Sequence, residues 1–289
     1  MTIQMAHFMA ALIAASLLGN VQAQTEAAPP ADVNLLNDIA CGAAPQQTLD
    51  VYRPKDAPVG PGVPLIVMVH GGAWVTGDKA SANVVTHKVE HWVAKGYALV
   101  SINYRLVPVA GPLEQADDVA QALAYVQAHA VEWGADASRL VLMGHSAGAH
   151  LVLLVASSPS IAARAGARPW RATVALDSAD FDLTTLMAER HPGFFDQAFG
   201  TDPAYWRQAS PLLQLNGPLA APLLAVCSSQ RRDPCAQAWA FADRAASLGG
   251  ASVSVLPVDL SHGQINTLLG TPSRYTAEVQ AFIESLGSP

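Results

Sequence analysis

Residues 140–154 read LVLMGHSAGAHLVLL, and one serine, Ser146, stands where an apolar run breaks at Gly144-His145-Ser146-Ala147-Gly148 and at once resumes. A buried strand followed by a packed helix accounts for the apolar residues on either side. The joint between them fits the G-x-S-x-G pattern, in which a sharp strand-to-helix turn presents a serine hydroxyl as a nucleophile. Small residues two before and two after the serine let the backbone pass. The amide that follows, at Ala147, is left free near a helix N-terminus, where the helix dipole favours an anion. The pattern also arises by chance, so its meaning rests on partners elsewhere in the chain.

His70-Gly71-Gly72-Ala73-Trp74 follows the apolar run PLIVMV. Consecutive glycines allow the amides of Gly71 and Gly72 to turn toward one point. With the Ala147 amide they form a candidate oxyanion hole, a device in which one donor contributes about 3 kcal/mol. A plain Gly-Gly turn would leave the flanking His70 and Trp74 unexplained. Of nine histidines, only His262, in DLSHGQIN, lies beyond the last strand pattern, where the base belongs in the chain order Ser, acid, His. Ser261 and Gly263 on either side read as a mobile loop. His145 sits inside the turn, His150 on the next helix, His129 at a helix end, and His70 braces the glycine loop.

An acid is needed to orient the imidazole and stabilise its charged form. Asp233, in SSQRRDPC after the next-to-last strand pattern, is the preferred candidate. Asp177, in ALDSAD after the preceding strand, is its rival, and Asp180 and Asp182 are weaker. A bridge between Cys227 and Cys235, the likelier pair of the three cysteines, would stiffen the Asp233 loop, with Cys41 left over. His87-Lys88-Val89-Glu90-His91 matches the H-x-x-E-H zinc pattern. The apolar face of its helix is nevertheless Val84, Val85, Val89, Trp92 and Val93, and no third ligand presents itself, so a solvated polar face is the better account and no metal or other cofactor is assigned.

Short β-branched runs with Pro and Gly at their edges read as strands: TLDVYRP, VPLIVMV, YALVSINYRL, RLVLMG, RATVALDSA, APLLAVCSS and ASVSVLPVD. Helical patterns such as SANVVTHKVEHWVAKG, LEQADDVAQALAYVQAHA, AHLVLLVASS, CAQAWAFADRAASLGG and TAEVQAFIESLG alternate with them. Such alternation implies an α/β fold with a mostly parallel sheet and helices on both faces. Residues 181–215 interrupt it. They carry Phe181, Phe194, Phe195, Phe199, Tyr205 and Trp206, six of the chain's 19 aromatics, and read equally as a cover over a pocket mouth or as a satellite apolar cluster. Trp74, His145, Phe194 and Phe195 are the candidates for contact with a substrate.

With 289 residues, 51% of them hydrophobic, one α/β domain over residues 48–289 is expected, preceded by a leader over 24–47. A net charge of −7 leaves no basic footprint for nucleic acid. Residues 1–23 carry no charged side chain, have an apolar run from Phe8 to Leu18 and end in Val21-Gln22-Ala23. They read as a secretory signal cleaved before Gln24, and the run is too short to span a bilayer, which takes about 20 apolar residues. Nothing later is long and apolar enough to do so. The expected location is therefore outside the cytoplasm, the periplasm or the medium, and the oligomeric state is open.

Taken together, HGGAW, GHSAG, the late aspartate and SHGQIN resemble the α/β-hydrolase fold serine esterases of the carboxylesterase and hormone-sensitive-lipase-like group, over residues 48–286. The resemblance implies Ser146 as nucleophile, Asp233 as acid, His262 as base, and the amides of Gly71, Gly72 and Ala147 at the oxyanion. It implies a small-molecule ester as partner, and no cofactor. HGGAW carries alanine where that group's loop has a third glycine, and in this it also resembles the HGGxW loop of arylformamidases. An amidase acting on formamides is therefore the nearest alternative, and a catalytically silent binding protein on the same scaffold the next.

Overall fold

A computed structural model of the chain describes residues 30–56 and 62–287. The signal sequence expected over residues 1–23 lies outside the described residues. Eight strands form one sheet: β1 (Val33–Ala40), β2 (Thr48–Pro54), β3 (Val63–Val69), β4 (Ala98–Ile102), β5 (Ala135–His145), β6 (Ala172–Leu176), β7 (Leu223–Ser228) and β8 (Val253–Val258). Their order is β1-β2-β4-β3-β5-β6-β7-β8. β2 runs antiparallel to both its neighbours and all other pairs are parallel.

β1 lies in the stretch that the sequence reads as a leader. VNLLNDIA does not alternate cleanly, because the strand is at the sheet edge, is half-exposed, and slips register between Leu36 and Ile39. Within the sheet the period of two does hold. Leu65, Val67 and Val69 of β3 face one apolar layer, and Ile66 and Met68 face the other.

The helices are α1 (Ala82–Ala94), α2 (Pro112–His129), α3 (Ala147–Ser157), α4 (Pro159–Arg164), α5 (Leu183–Ala188), α6 (Gly193–Phe199), α7 (Pro203–Gln208), α8 (Pro211–Gln214), α9 (Pro234–Leu248), α10 (His262–Thr267) and α11 (Arg274–Ser285). α2 and α3 cover the Leu65 face; α1 and α11 cover the other with Val84, Val85, Val89, Trp92, Val279 and Ile283. α3 is apolar around its whole circumference and buried along nearly all of it, as a helix enclosed on every side must be.

The parallel register aligns the strand ends. Val69 pairs with Gly144, and His145 pairs with Leu176. Gly71, Ser146 and Asp177 therefore emerge side by side just past the carboxyl ends of β3, β5 and β6, where an open parallel sheet gathers its ligands.

Lys88 of α1 is buried inside this frame, with Nζ donating to the Asn266 backbone carbonyl at 2.7 Å and to Asn266 Oδ1 at 2.9 Å. It thereby ties α1 to α10. Burial pulls its amine down from 10.5 to about 7. A lysine whose pKa is lowered by folding binds more protons unfolded than folded between those two values, so stability rises with pH across that window. Lys88→Met is therefore expected to gain most over wild type at pH ~7 and below. That advantage should shrink by up to about 1.4 kcal/mol per pH unit as pH rises toward ~10. Urea unfolding of both proteins at several pH values checks it, and a stability difference that does not change with pH contradicts it.

Candidate active site

Ser146 joins β5 to α3 at φ 56 and ψ −119, a conformation rare for a residue with a side chain. Its amide donates to the Leu176 carbonyl at 3.1 Å, and its carbonyl accepts from His150 at 3.0 Å and Ala179 at 3.2 Å. The flanking glycines answer to close approach. A Cβ on Gly144 would run into the Gly148 carbonyl, and one on Gly148 into the carbonyls of Val69 and His70. Backbone from β3 and α3 thus crosses at the turn with no room for a methyl group.

The Ser146 hydroxyl lies 2.9 Å from His262 Nε2, and His262 Nδ1 lies 2.6 Å from Asp177 Oδ2. Asp177, not Asp233, is the carboxylate against the imidazole. Asp177 is fully buried directly after β6, at φ 47, and its Oδ1 accepts the Ser228 amide at 2.9 Å. Burial works against its charge, but the hydrogen bonds from His262, Ser228 and Arg231 outweigh that and hold the carboxyl below the usual carboxylate range. Asp233 is exposed at the N-cap of α9, and its carboxylate is met by Arg232 at 3.1 Å. It lines the cavity but makes no hydrogen bond to His262. Asp180 is buried and accepts from Gln237 and the Asp182 amide, and burial raises it to about 6; Asp182 caps α5. Neither meets His262.

His262 is also not on a mobile loop. It is the first residue of α10, whose capping box has the Ser261 hydroxyl accepting the Gln264 amide while Gln264 Oε1 accepts the Ser261 amide. Since Nδ1 faces a carboxylate, it carries the proton, and the lone pair of Nε2 faces the serine. Behind it, His145 donates from Nε2 to the His262 carbonyl at 2.9 Å. Burial, with the His262 ring adding to it, pushes His145 down to about 3, so it is a neutral brace.

The glycine loop comes against the serine from the β3 side. A Cβ on Gly71 would sit 2.9 Å from the Ser146 Cβ, and Gly72 adopts φ 129, which a side chain would resist. Among the described residues, the amides of Gly71, Gly72 and Ala147 donate to no protein carbonyl. His70 is stacked on Tyr104, ring centroids 4.4 Å apart, and braces the loop as expected. Trp74 departs from its expected contact with a substrate. Its side chain is completely buried, edge-on to His150 and Phe199, with Nε1 3.3 Å from His150 Nδ1. It anchors the far end of the loop in the core instead.

Ser146, His262 and His145 open into a cavity of about 750 Å³, with Gly71 and Gly72 on one wall and Phe194 and Phe195 on another. Among the described residues, no three His, Cys, Asp or Glu side chains stand close enough to hold a metal ion. His87 pairs with Glu90 at 2.9 Å, and His91 lies against Trp92.

The fold is found in known proteins. Esterase B of Lactobacillus Rhamnosis superposes with a TM-score of 0.71 at 20% identity, over 90% of this chain and 87% of that one. Est2 of Thermogutta terrifontis gives 0.70 at 19%, over 90% and 95%. The chain has the α/β-hydrolase fold. Residues 49–167 match the BD-FAE family. In sequence it is similar to esterase LipQ of Mycobacterium tuberculosis, 27% identical over 84% of this chain and 60% of that protein. It is also similar to esterase LipC of the same organism, 36% identical over 39% of this chain and 27% of LipC. The chain thus spans only part of the length of these relatives, and the match to LipC covers 113 residues.

Helices α5 to α8 form an insertion between β6 and β7. Both readings of its aromatic residues hold in part. Phe194 is partly exposed and lines the cavity, whereas Phe199 packs on Trp74 and Phe181 on Phe241 in the interior. The three cysteines divide as expected, with Cys227 bridged to Cys235 and Cys41 buried and free. The site residue with no sequence expectation is Arg231, whose guanidinium reaches Asp177 Oδ2 at 2.8 Å.

The geometry makes the two aspartates distinguishable. Phosphonylation of Ser146 by a fluorophosphonate, followed by mass spectrometry, is expected to slow by about 10³- to 10⁴-fold in Asp177→Asn and to change less than about threefold in Asp233→Asn. Equal losses in both variants would refute the assignment of the acid.

Proposed function

We propose that the chain is a secreted serine hydrolase that cleaves short-chain or aryl carboxylic esters through an acyl-enzyme. The observation that carries the proposal is the unbroken run of hydrogen bonds from the Ser146 hydroxyl through His262 to the buried Asp177. Ser146 Oγ attacks the ester carbonyl carbon while its proton passes to His262 Nε2, leaving an imidazolium paired with Asp177. Negative charge that develops on the carbonyl oxygen is met by the amides of Gly71, Gly72 and Ala147. The carbon–oxygen bond to the alcohol breaks, and the alkoxide takes the proton from Nε2. A water then gives its proton to Nε2 and attacks the acyl carbon, and the acid leaves as Ser146 recovers its proton.

Several observations support the ester. LipQ and LipC are named esterases, Esterase B has been crystallised as a tributyrin phosphonate complex, and Est2 has been crystallised phosphonylated by sarin. A cavity of about 750 Å³ with Phe194 and Phe195 on its wall favours a small or aryl group over a long acyl chain. The Cys227–Cys235 bridge agrees with an oxidising compartment, as does the secretory signal read from residues 1–23.

Hydrolysis of p-nitrophenyl acetate and butyrate is the test. Ser146→Ala is expected to lose at least about 10⁴-fold in kcat. The palmitate ester should be turned over far more slowly than the butyrate. Equal background rates in wild type and Ser146→Ala would sink the ester reading, and turnover of N-formyl-kynurenine or another aryl formamide in its place would establish the amidase. A palmitate ester preferred over butyrate would overturn the substrate class alone.

A further inference from the structure

Asp177 has more donors than a triad acid requires. Its Oδ2 takes both the His262 Nδ1 proton at 2.6 Å and Arg231 NH1 at 2.8 Å, while Oδ1 takes the Ser228 amide. The same guanidinium nitrogen lies 3.3 Å from His262 Nδ1. That ring nitrogen already donates to Asp177, so it has no lone pair to accept with, and this approach is a cation held against the imidazole rather than a hydrogen bond. Arg231 is about one-third exposed (side chain 36%), and it lines the cavity.

The segment that carries Arg231 is short and doubly anchored. It leaves β7 at Cys227, re-enters at Cys235 in the first turn of α9, and the disulfide closes it with the two Cα atoms 5.2 Å apart. At its start the Ser228 hydroxyl donates to the Leu260 carbonyl at 2.6 Å, and the Ser229 amide to Val258 at 2.9 Å. Arg231 is the side chain of the segment that meets the triad; the Ser228 amide also donates to Asp177, whereas Arg232 and Asp233 turn to one another at the surface.

Building on the triad reading above, we propose that Arg231 is a positioning residue: it fixes the Asp177 carboxylate and opposes protonation of the resting imidazole, and the Cys227–Cys235 bridge keeps its loop within reach. The cation works in two directions. It strengthens the charge on Asp177, which holds the Nδ1 tautomer. It also sets a positive charge 3.3 Å from His262 Nδ1, which opposes the charge of the imidazolium.

Other groups that face the pair come from three elements. His145 at the end of β5 is neutral, since burial pushes it down to about 3. Tyr275 of α11 is raised by burial and by the Asp177 charge, and stays a neutral phenol. Lys88 of α1, behind His145, is pulled down by burial to about 7. Lys88 titrates near neutral pH and can shape an activity profile there, so the decisive signal has to come from the His262 ring itself.

The experiment is a long-range proton–nitrogen NMR titration of His262 in the full chain, for wild type, Arg231→Met, Arg231→Lys and the double variant Cys227→Ala/Cys235→Ala. It is run beside kcat and KM for p-nitrophenyl butyrate across pH. In Arg231→Met the imidazole midpoint and the acid limb of kcat/KM are expected to move up by about half a pH unit or more. In the same variant kcat should fall about tenfold with KM within about twofold. Arg231→Lys should restore the midpoint and only part of kcat, because an ammonium keeps the charge but not the planar fork. The cysteine double variant should fall between Arg231→Met and wild type. An unshifted midpoint in Arg231→Met, or a midpoint in Arg231→Lys that matches Arg231→Met, overturns the role of the charge. Wild-type values in the cysteine variant overturn the role of the bridge. The titration needs no substrate, so a wild type that titrates but hydrolyses no ester counts against the ester reading and leaves the Arg231 result standing.

Discussion

A carboxylate with no exposed surface keeps its charge only if the protein replaces the water it has lost, and Asp177 is in that position. Its three donors come from three places: the Ser228 amide at the end of β7, the His262 ring at the start of α10, and the Arg231 guanidinium in the loop between β7 and α9. Removing any one leaves a buried charge under-compensated, so these segments depend on one another through a single side chain. The sheet makes the arrangement available. Leu176 pairs with both His145 and Val226, which places the residue after β6 between the ends of β5 and β7. Parallel strands in register thus deliver Ser146, Asp177 and Ser228 to one edge, and only the imidazole has to be brought in from elsewhere.

The imidazole arrives on a helix fixed from several sides. The capping box closes the first turn of α10, Lys88 of α1 holds the Asn266 carbonyl and side chain, and Tyr275 of α11 donates to the Ile265 carbonyl at 2.9 Å. His145 reaches the His262 carbonyl from beneath. A buried lysine with no carboxylate partner is a costly anchor, which is why its amine is pulled toward neutrality. The neutral amine still offers protons to both Asn266 oxygens, so the tie survives the loss of charge. The opposite wall of the cavity is built differently. Phe194 is partly exposed and stacks on Phe195, which rests on the buried Phe199, so substitution at Phe194 alters the shape of the cavity without touching the base.

Most of this was legible in the sequence, and the exceptions have physical causes. The strand-turn-helix pattern around Ser146, the glycines ahead of Trp74 and the last histidine are local signatures, and each lies where its pattern implied. The acid is different, because chain order admits either Asp177 or Asp233. The choice depends on backbone direction after a strand: at 177 a left-handed residue turns the side chain back across the strand ends, whereas at 233 the chain has already entered α9. No composition or periodicity reports that turn. The short path in ALDSAD, an aspartate at once after the last strand residue, was the available clue. The helix at His262 could have been read, since Ser261 and Gln264 are spaced as a capping box. β1 could not, because a bulged edge strand with one face in water has no clean alternation. Arg231 was hidden for a further reason: its partner was the acid that the sequence left undecided.

The backbone shows where the fold concentrates its strain. Among the described residues, five that are not glycine have positive φ, and four of them border the site: Ala73, Trp74, Ser146 and Asp177. Conformations of this kind cost about 1–3 kcal/mol each, and they persist only where the surroundings over-determine them. The surroundings here are identifiable. Trp74 is held by complete burial against His150 and Phe199, Ser146 by backbone bonds to Leu176, His150 and Ala179, and Asp177 by its amide bond to Val226 at 2.8 Å. Each strained residue is thus clamped by the layer beneath it, α3 and the ends of β6 and β7. The strain aims a hydroxyl, a carboxylate and a row of free amides at one point before any substrate arrives. Because that orientation is set during folding, it need not be found again in each reaction cycle.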